Sequence, residues 1–387
     1  MLRSSASLVL LLSSAQAAAP ASVPATIQTQ LGALLANGPR VAGTPSLQRA
    51  GEYLAGQYQA LGYQTRFEPF EYTRSGDRGS SLRVGGATIA ANALDGSAGA
   101  SVTGPLAFVE GTGTPEDFAR AGVRGKVAVV ARGSLRFGEK AANAERAGAS
   151  GLVIVNNTAG RLVGGTLGSK AGIPVVGLAQ PDGARLRTLT GEATLEANVV
   201  TETVAGRNLI AFKVGVQKPA LLFGAHLDSV RGAPGANDNA SGTLAVLDIA
   251  RRTANTPVGR SAWFLAFDGE EDGLRGSRAF VGKNPEVVRG LKAMLNFDMV
   301  GVKVDPLRVG GTAELVRRAQ AVAPSLGRLP DTNDSDHASF LQAGAPALFF
   351  HTGLDANYHQ PGDTVLDPAL VVQAAETGVQ VAEAVLR

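Results

Sequence analysis

Apolar positions recur along this chain with two different periods, and the balance between them changes along its length. Near the start, Leu47, Ala50, Leu54, Tyr58 and Leu61 recur three or four residues apart, the spacing that lines one face of a helix. Thr44-Pro45 is a start signal, an N-cap followed by proline at the first helical position, and Gly62 is a stop. Residues 27–62 therefore read as helical, and 63–70 as a strand. Residues 74–103, rich in Gly, Ser and Ala, read as a boundary.

From 104 to 198 the apolar runs become short. Strand-like segments at 106–109, 126–131, 152–155 and 173–178 surround one helix-like segment at 138–147. This is the pattern of a small compact α/β module. After 199 strands and helices alternate on a larger scale. Leu221-Leu222-Phe223 leads to His226, 262–267 leads to Asp268-Gly269-Glu270-Glu271, 294–297 leads to Asp298, and 347–350 is a further strand. Helices are expected at 239–254 and 371–386. Apolar strands alternating with helices predict an α/β sheet covered on both faces. The expected division is 1–19 as a leader, 20–95 with 199–387 as one discontinuous domain, and 96–198 as an insert.

The leader rests on Arg3, the apolar run from Leu8 to Leu12, and the small-x-small steps Ala15-Gln16-Ala17 and Ala17-Ala18-Ala19. That is a secretory signal pattern, too short to span a bilayer. It predicts a secreted or periplasmic protein. The 387 residues carry a net charge of only +3 and 5% aromatics, without a long basic run, which argues against a nucleic-acid partner. The absence of cysteine excludes thiol catalysis, thiolate metal sites and disulfides. The sequence carries no sign of oligomeric state.

The chemistry lies at the strand ends. Ligands of open α/β sheets bind beyond the carboxyl ends of strands. There the sequence sets Gly224-Ala225-His226-Leu227-Asp228, Gly269-Glu270-Glu271-Asp272-Gly273 and Asn296-Phe297-Asp298, with Gly235-Ala236-Asn237-Asp238-Asn239 close behind. A further segment, Asn357-Tyr358-His359-Gln360-Pro361-Gly362-Asp363, reads as a loop able to close over them. Two histidines and three carboxylates exceed what one catalytic zinc needs, and suffice for two metals if one carboxylate bridges. The adjacent Glu270 and Glu271 suit a division of labour in which one ligates and the other accepts a proton. Asp228, two residues after His226, is the natural acceptor to fix the histidine's tautomer.

In order and spacing these motifs resemble the co-catalytic di-zinc exopeptidases, the group that includes secreted bacterial leucyl aminopeptidases and glutamate carboxypeptidases. The resemblance covers residues 24–73 and 199–387. Residues 104–198, through Gly125 to Val130, Ala141 to Gly151 and Ile173-Pro174-Val175, resemble a protease-associated domain. The resemblance implies a mixed central sheet with helices on both faces and a smaller β-rich α/β insert. It implies two Zn2+ per chain, with His226 and Asp298 on one, Glu271 and His359 on the other, and Asp238 bridging. Glu270 is then the general base, Tyr358 an oxyanion donor, and the Asp238–Asn239 peptide cis. It implies peptide substrates, cleaved by a bridging hydroxide at the amino-terminal residue.

Other relatives of that group are carboxypeptidases or dipeptidases, glutaminyl cyclases and receptor-like ectodomains. A carboxypeptidase needs an arginine cluster to grip a carboxylate. Arg231, Arg275 and Arg278 are the arginines nearest the ligand motifs in sequence. Asp336 and His337 are expected to shape the site from behind. His351 is open between a structural and a functional role, and Asp363 is expected to fix the His359 loop.

Overall fold

The computed structural model describes residues 22–157, 163–330 and 333–387, so the leader expected at 1–19 lies outside the described residues. The helical stretch expected at 27–62 is two helices, Val23–Leu35 and Pro45–Ala60. Gly38 (φ 76°) and Pro39 break it, and the turn between the helices carries Arg40 into the interior.

The strand expected at 63–70 runs on to Asp77. Gln64–Asp77 pairs antiparallel with Val199–Phe212 along its full length, Gln64 facing Phe212 and Asp77 facing Val199. Residues 71–77 are mostly polar, so hydrophobic patterning does not reveal the extension. Main-chain pairing carries it outward as a two-stranded ribbon.

Among the described residues the large sheet has eight strands, in the order 64–77, 199–212, 262–267, 221–226, 293–297, 347–351, 308–311 and 327–328. Strands Ala262–Phe267, Leu221–His226, Ala293–Phe297 and Ala347–His351 are parallel neighbours. Antiparallel pairings flank them on both sides, making the sheet mixed. Alternate side chains serve two cores, as the two-residue period of a strand requires. Leu221, Phe223, Phe264, Leu295 and Phe350 pack under the helices of residues 23–60, 242–253, 313–322 and 368–386. Leu222, Trp263, Leu265, Phe267 and Met294 face the opposite side with Phe280, Val288 and Phe340.

The closing helix, Pro368–Leu386, is long and apolar enough to cross a membrane by length and composition alone. Its Val371, Ala374, Ala375, Gly378, Val381, Ala382 and Val385 are instead buried on the first core.

Two smaller sheets stand at the far end of the ribbon. One has five strands, four of them parallel: Leu106–Val109, Val127–Ala131, Gly151–Val155 and Val175–Leu178. The other is antiparallel, in the order Ala87–Ala90, Ser81–Val84, Ala193–Ala197, Ala100–Gly104. Leu82, Val84, Ile89, Val127, Val153 and Leu195 fill the space between them. The strands within 81–93 therefore pack with this module and not with the large sheet.

Candidate metal centre

The four parallel strands end side by side, and the polar residues that follow them meet there. His226 closes one strand, Asp298 follows another, and Glu270 and Glu271 lie in the turn after Phe267. Asp238 arrives from the wide turn Ala236–Ser241 that opens the helix Gly242–Thr253. That helix starts hard against the Asp298 strand. A Cβ at Gly242 would lie 2.1 Å from the Phe297 carbonyl oxygen, so only glycine permits the approach. Asn239 bridges the same junction, giving a hydrogen bond to Phe297 O (3.0 Å) and taking one from Gly242 N (2.9 Å). The Asp238–Asn239 peptide is cis.

Asp238 lies between two histidines. Its Oδ1 is 3.3 Å from His226 Nε2 and its Oδ2 is 3.2 Å from His359 Nε2. His226 Nε2 is also 3.4 Å from Asp298 Oδ1, and His359 Nε2 is 3.1 Å from Glu271 Oε2. Two compact donor groups result, His226–Asp238–Asp298 and Asp238–Glu271–His359, sharing one carboxylate. Glu270 stands beside them, with a carboxylate oxygen within 4.8 Å of donor atoms of His226 and Glu271.

These groups fit a pair of cations. Donors about 2.0–2.1 Å from one tetrahedral ion stand roughly 3.3 Å apart, close to the separations observed. His226 Nε2, Glu271 Oε1 and Asp298 Oδ1 are buried without any hydrogen-bond partner, an expensive condition unless a cation satisfies them. The acid–base balance agrees. Burial, reinforced by Asp238, raises the Glu271 carboxyl to about 8. Burial and then the neighbouring carboxylates of Glu271, Asp336 and Asp298 raise Glu270 well above the usual range, with His226 pulling the other way. Burial would lower His226, but Asp298 and Glu270 drive it well above 6.5. His359 rises to about 10, because Asp238 and Glu271 outweigh its desolvation. Such a cluster lacks positive charge at its centre.

The surrounding residues hold the donors in place. Asp228 does so differently from the sequence expectation. Its main-chain carbonyl lies 3.2 Å from His226 Nδ1, while its carboxylate, 3.6 Å away, accepts the N–H groups of Glu270 (3.2 Å) and Glu271 (3.1 Å). One buried residue thus orients both the histidine and the glutamate pair. Asp363 accepts N–H bonds from Asn237 (2.7 Å) and Asp238 (3.0 Å), tying the His359 loop to the shared aspartate. His359 itself takes a left-handed backbone, φ 59°. Ser335 donates to Asp298 Oδ2 (2.7 Å) and accepts from Asn296 (2.8 Å).

Arg40 has no counterpart in the sequence reading. It is fully buried, and its guanidinium donates to the carbonyls of Leu227 (2.7 Å), Pro234 (2.6 Å) and Gly235 (2.8 Å). It therefore pins the loop between His226 and Asp238. Burial lowers it to about 10, and Asp228 and Asp363 oppose the fall, so it stays charged among the acids. The only local signal is the helix-breaking Gly38-Pro39 pair.

His351 and His337 stay outside both donor groups. The His351 Nδ1 lies 2.8 Å from the Asp298 carbonyl, and the His337 ring stacks on Phe349 with centroids 4.5 Å apart. Asp336 is fully buried, and burial raises it to about 7. Tyr358 stacks on His359, centroids 3.8 Å apart, and burial followed by Asp238 and Glu271 drives its hydroxyl up, keeping it protonated.

Residues 208–381 match the model of peptidase family M28, and 102–186 match the PA domain. Aminopeptidase YwaD of Bacillus subtilis (strain 168) is 33% identical over 355 residues, covering 85% of this chain and 76% of the relative. This chain belongs to peptidase family M28. A probable lipoprotein aminopeptidase of Mycobacterium tuberculosis, LpqL, is 30% identical over 383 residues, covering 85% of this chain and 77% of its own. Among solved structures, BSAP, a zinc aminopeptidase from Bacillus subtilis, superposes with a TM-score of 0.79 at 30% identity, over 94% of both chains. The M28 chain with its PA insert thus carries the donor set of a metal-dependent exopeptidase.

Proposed function

We propose that this M28 chain is a two-zinc aminopeptidase that releases the amino-terminal residue of peptides. The observation that carries the reading is the pair of donor groups joined through Asp238 with Glu270 beside them. His226 and Asp298 would hold one zinc, Glu271 and His359 the other, and Asp238 would be shared between them. Bound zinc supplies Lewis acidity toward the scissile carbonyl and lowers the pKa of water.

The chain's own residues do the rest. Glu270 takes the proton of the attacking water and delivers it to the departing amine. Its position beside both donor groups, within 4.8 Å of donor atoms of His226 and Glu271, suits that shuttle. Tyr358 keeps its proton and donates a hydrogen bond to the oxygen on which charge develops. Asp228 acts by positioning, through His226 and the backbone of Glu270 and Glu271. The aminopeptidase names of the relatives support the amino-terminal reading over the carboxypeptidase one. The leader pattern of residues 1–19 supports export. The strand pairings of 81–93 support an insert that begins near residue 78, earlier than the expected 96, and ends near 198.

A substrate panel tests the reading. Aminoacyl anilides are expected to be hydrolysed, while their N-acetylated forms and N-acylglutamates are not. Hydrolysis of N-acylglutamates alone would make the chain a carboxypeptidase.

A further inference from the structure

The cavity that holds Glu270 lies between the helix Arg275–Lys283 and the PA insert, and encloses about 500 Å³. One wall carries Arg275 and Arg278, and the other carries Asp95 and Thr166 of the insert. A smaller cavity of about 330 Å³ reaches Glu271 but not Glu270. Glu270 must reach the departing amine if it is to protonate it. The leaving part of the substrate therefore lies in the larger cavity, on the proposed-function reading above.

Three arginines line that cavity, and they are not equivalent. Arg74 is committed to Glu202 (2.6 Å) and Asp272 (2.9 Å). Arg275 is fixed by its Nε, which donates to the Asp272 carbonyl (2.8 Å), and its guanidinium stacks over the Tyr72 ring at 5.4 Å. Its two terminal nitrogens make no hydrogen bond or ion pair among the described residues. Arg278, exposed and one helical turn on, makes no side-chain hydrogen bond or ion pair among the described residues. Asp334, also exposed in this cavity, pairs with neither arginine. Two free guanidinium groups on one helix face, one of them already held rigid, form a carboxylate-binding fork. The volume is that of a small-ligand site and not of an extended groove.

We propose that Arg275 and Arg278 bind a carboxylate on the leaving side of the scissile bond, and so set a preference among peptide substrates. The carboxylate belongs either to the C-terminus of a di- or tripeptide or to an acidic side chain just after the cleaved bond. In both cases the PA insert roofs the site and limits the length of the leaving peptide.

Four peptides sharing one amino-terminal residue X distinguish the sources: X-Ala-Ala as acid and as amide, and the amides X-Glu-Ala and X-Gln-Ala. With wild type, kcat/KM is expected to favour the acid over its amide by about tenfold, or Glu over Gln by about tenfold. The first outcome assigns the fork to the peptide's C-terminus, the second to the side chain. Arg278→Gln, and separately Arg275→Gln, should bring the favoured ratio toward one. Equal rates for all four peptides with wild type would overturn the inference and leave the aminopeptidase reading intact. So would variants that slow all four alike, which is the signature of a merely structural role. If none of the four is cleaved by the zinc-loaded wild type, the functional reading fails and this inference with it.

Discussion

Asp238 decides the character of the site, because one side chain serves two donor groups at 3.2 and 3.3 Å. In the metal-free chain the surrounding groups hold protons in the cations' stead. His226 and His359 lie well above 6.5 and Glu271 near 8, so at pH 7 all three are largely protonated. Ligation requires neutral histidines and an ionised glutamate. Zinc uptake at pH 7 should therefore release protons, and apparent affinity should rise from pH 6 to pH 8. Calorimetry in buffers of different ionisation enthalpy reads this, and a heat independent of buffer would contradict it. Glu270→Gln should cost about 10²–10⁴ in kcat, with metal content unchanged by elemental analysis. Asp228→Ala should weaken zinc binding about 10–100-fold, read by competition with a chelator. His359 was read only as part of a loop able to close over the other donors, whereas His226, Glu271 and Asp298 were legible in the sequence because each follows an apolar strand, and Asp238 because it sits in a Gly-bounded turn. Arg40 was not, since a buried arginine whose acceptors are main-chain carbonyls 187 to 195 positions away leaves no spacing to read.

Among the elements, the loop from Leu227 to Gly235 matters most. It contains no helix or strand, yet it sets the distance between His226 and Asp238. Arg40 organises it, so Arg40→Met should leave three carbonyls without their donor. At about 1–3 kcal/mol for each unsatisfied buried group, a loss of roughly 3 kcal/mol or more is expected in urea unfolding. An unchanged midpoint would show the loop to be held by other contacts. The central strands were legible as apolar runs bounded by Gly and Asp. The outer half of the ribbon was not, because residues 71–77 are held by main-chain pairing and by polar contacts such as those of Tyr72 and Arg74 with Asp272, which need no apolar alternation. The short strands within 81–104 were masked similarly by Gly- and Ala-rich composition, which reads as linker.

For the whole molecule, the PA module is carried on the ribbon and closes over the cavity that holds Glu270. Tyr72 and Arg74 of the ribbon both bond the Asp272 carboxylate, one residue from Glu271. The position of the insert is therefore mechanically linked to the metal-holding turn. The division into a sheet domain and an insert was legible as a change in strand length. The contact between them was not, because it is made by polar residues far apart in sequence.

On the proposed reading, two bound metals make this chain an aminopeptidase. This is tested most directly by titrating zinc into the chelator-treated protein while following hydrolysis of an aminoacyl anilide. Activity should be absent at first and rise to a plateau at two zinc ions per chain, with N-acetylated substrate inert throughout. Full activity in the chelated, zinc-free protein, or a plateau at one zinc ion, would contradict the account.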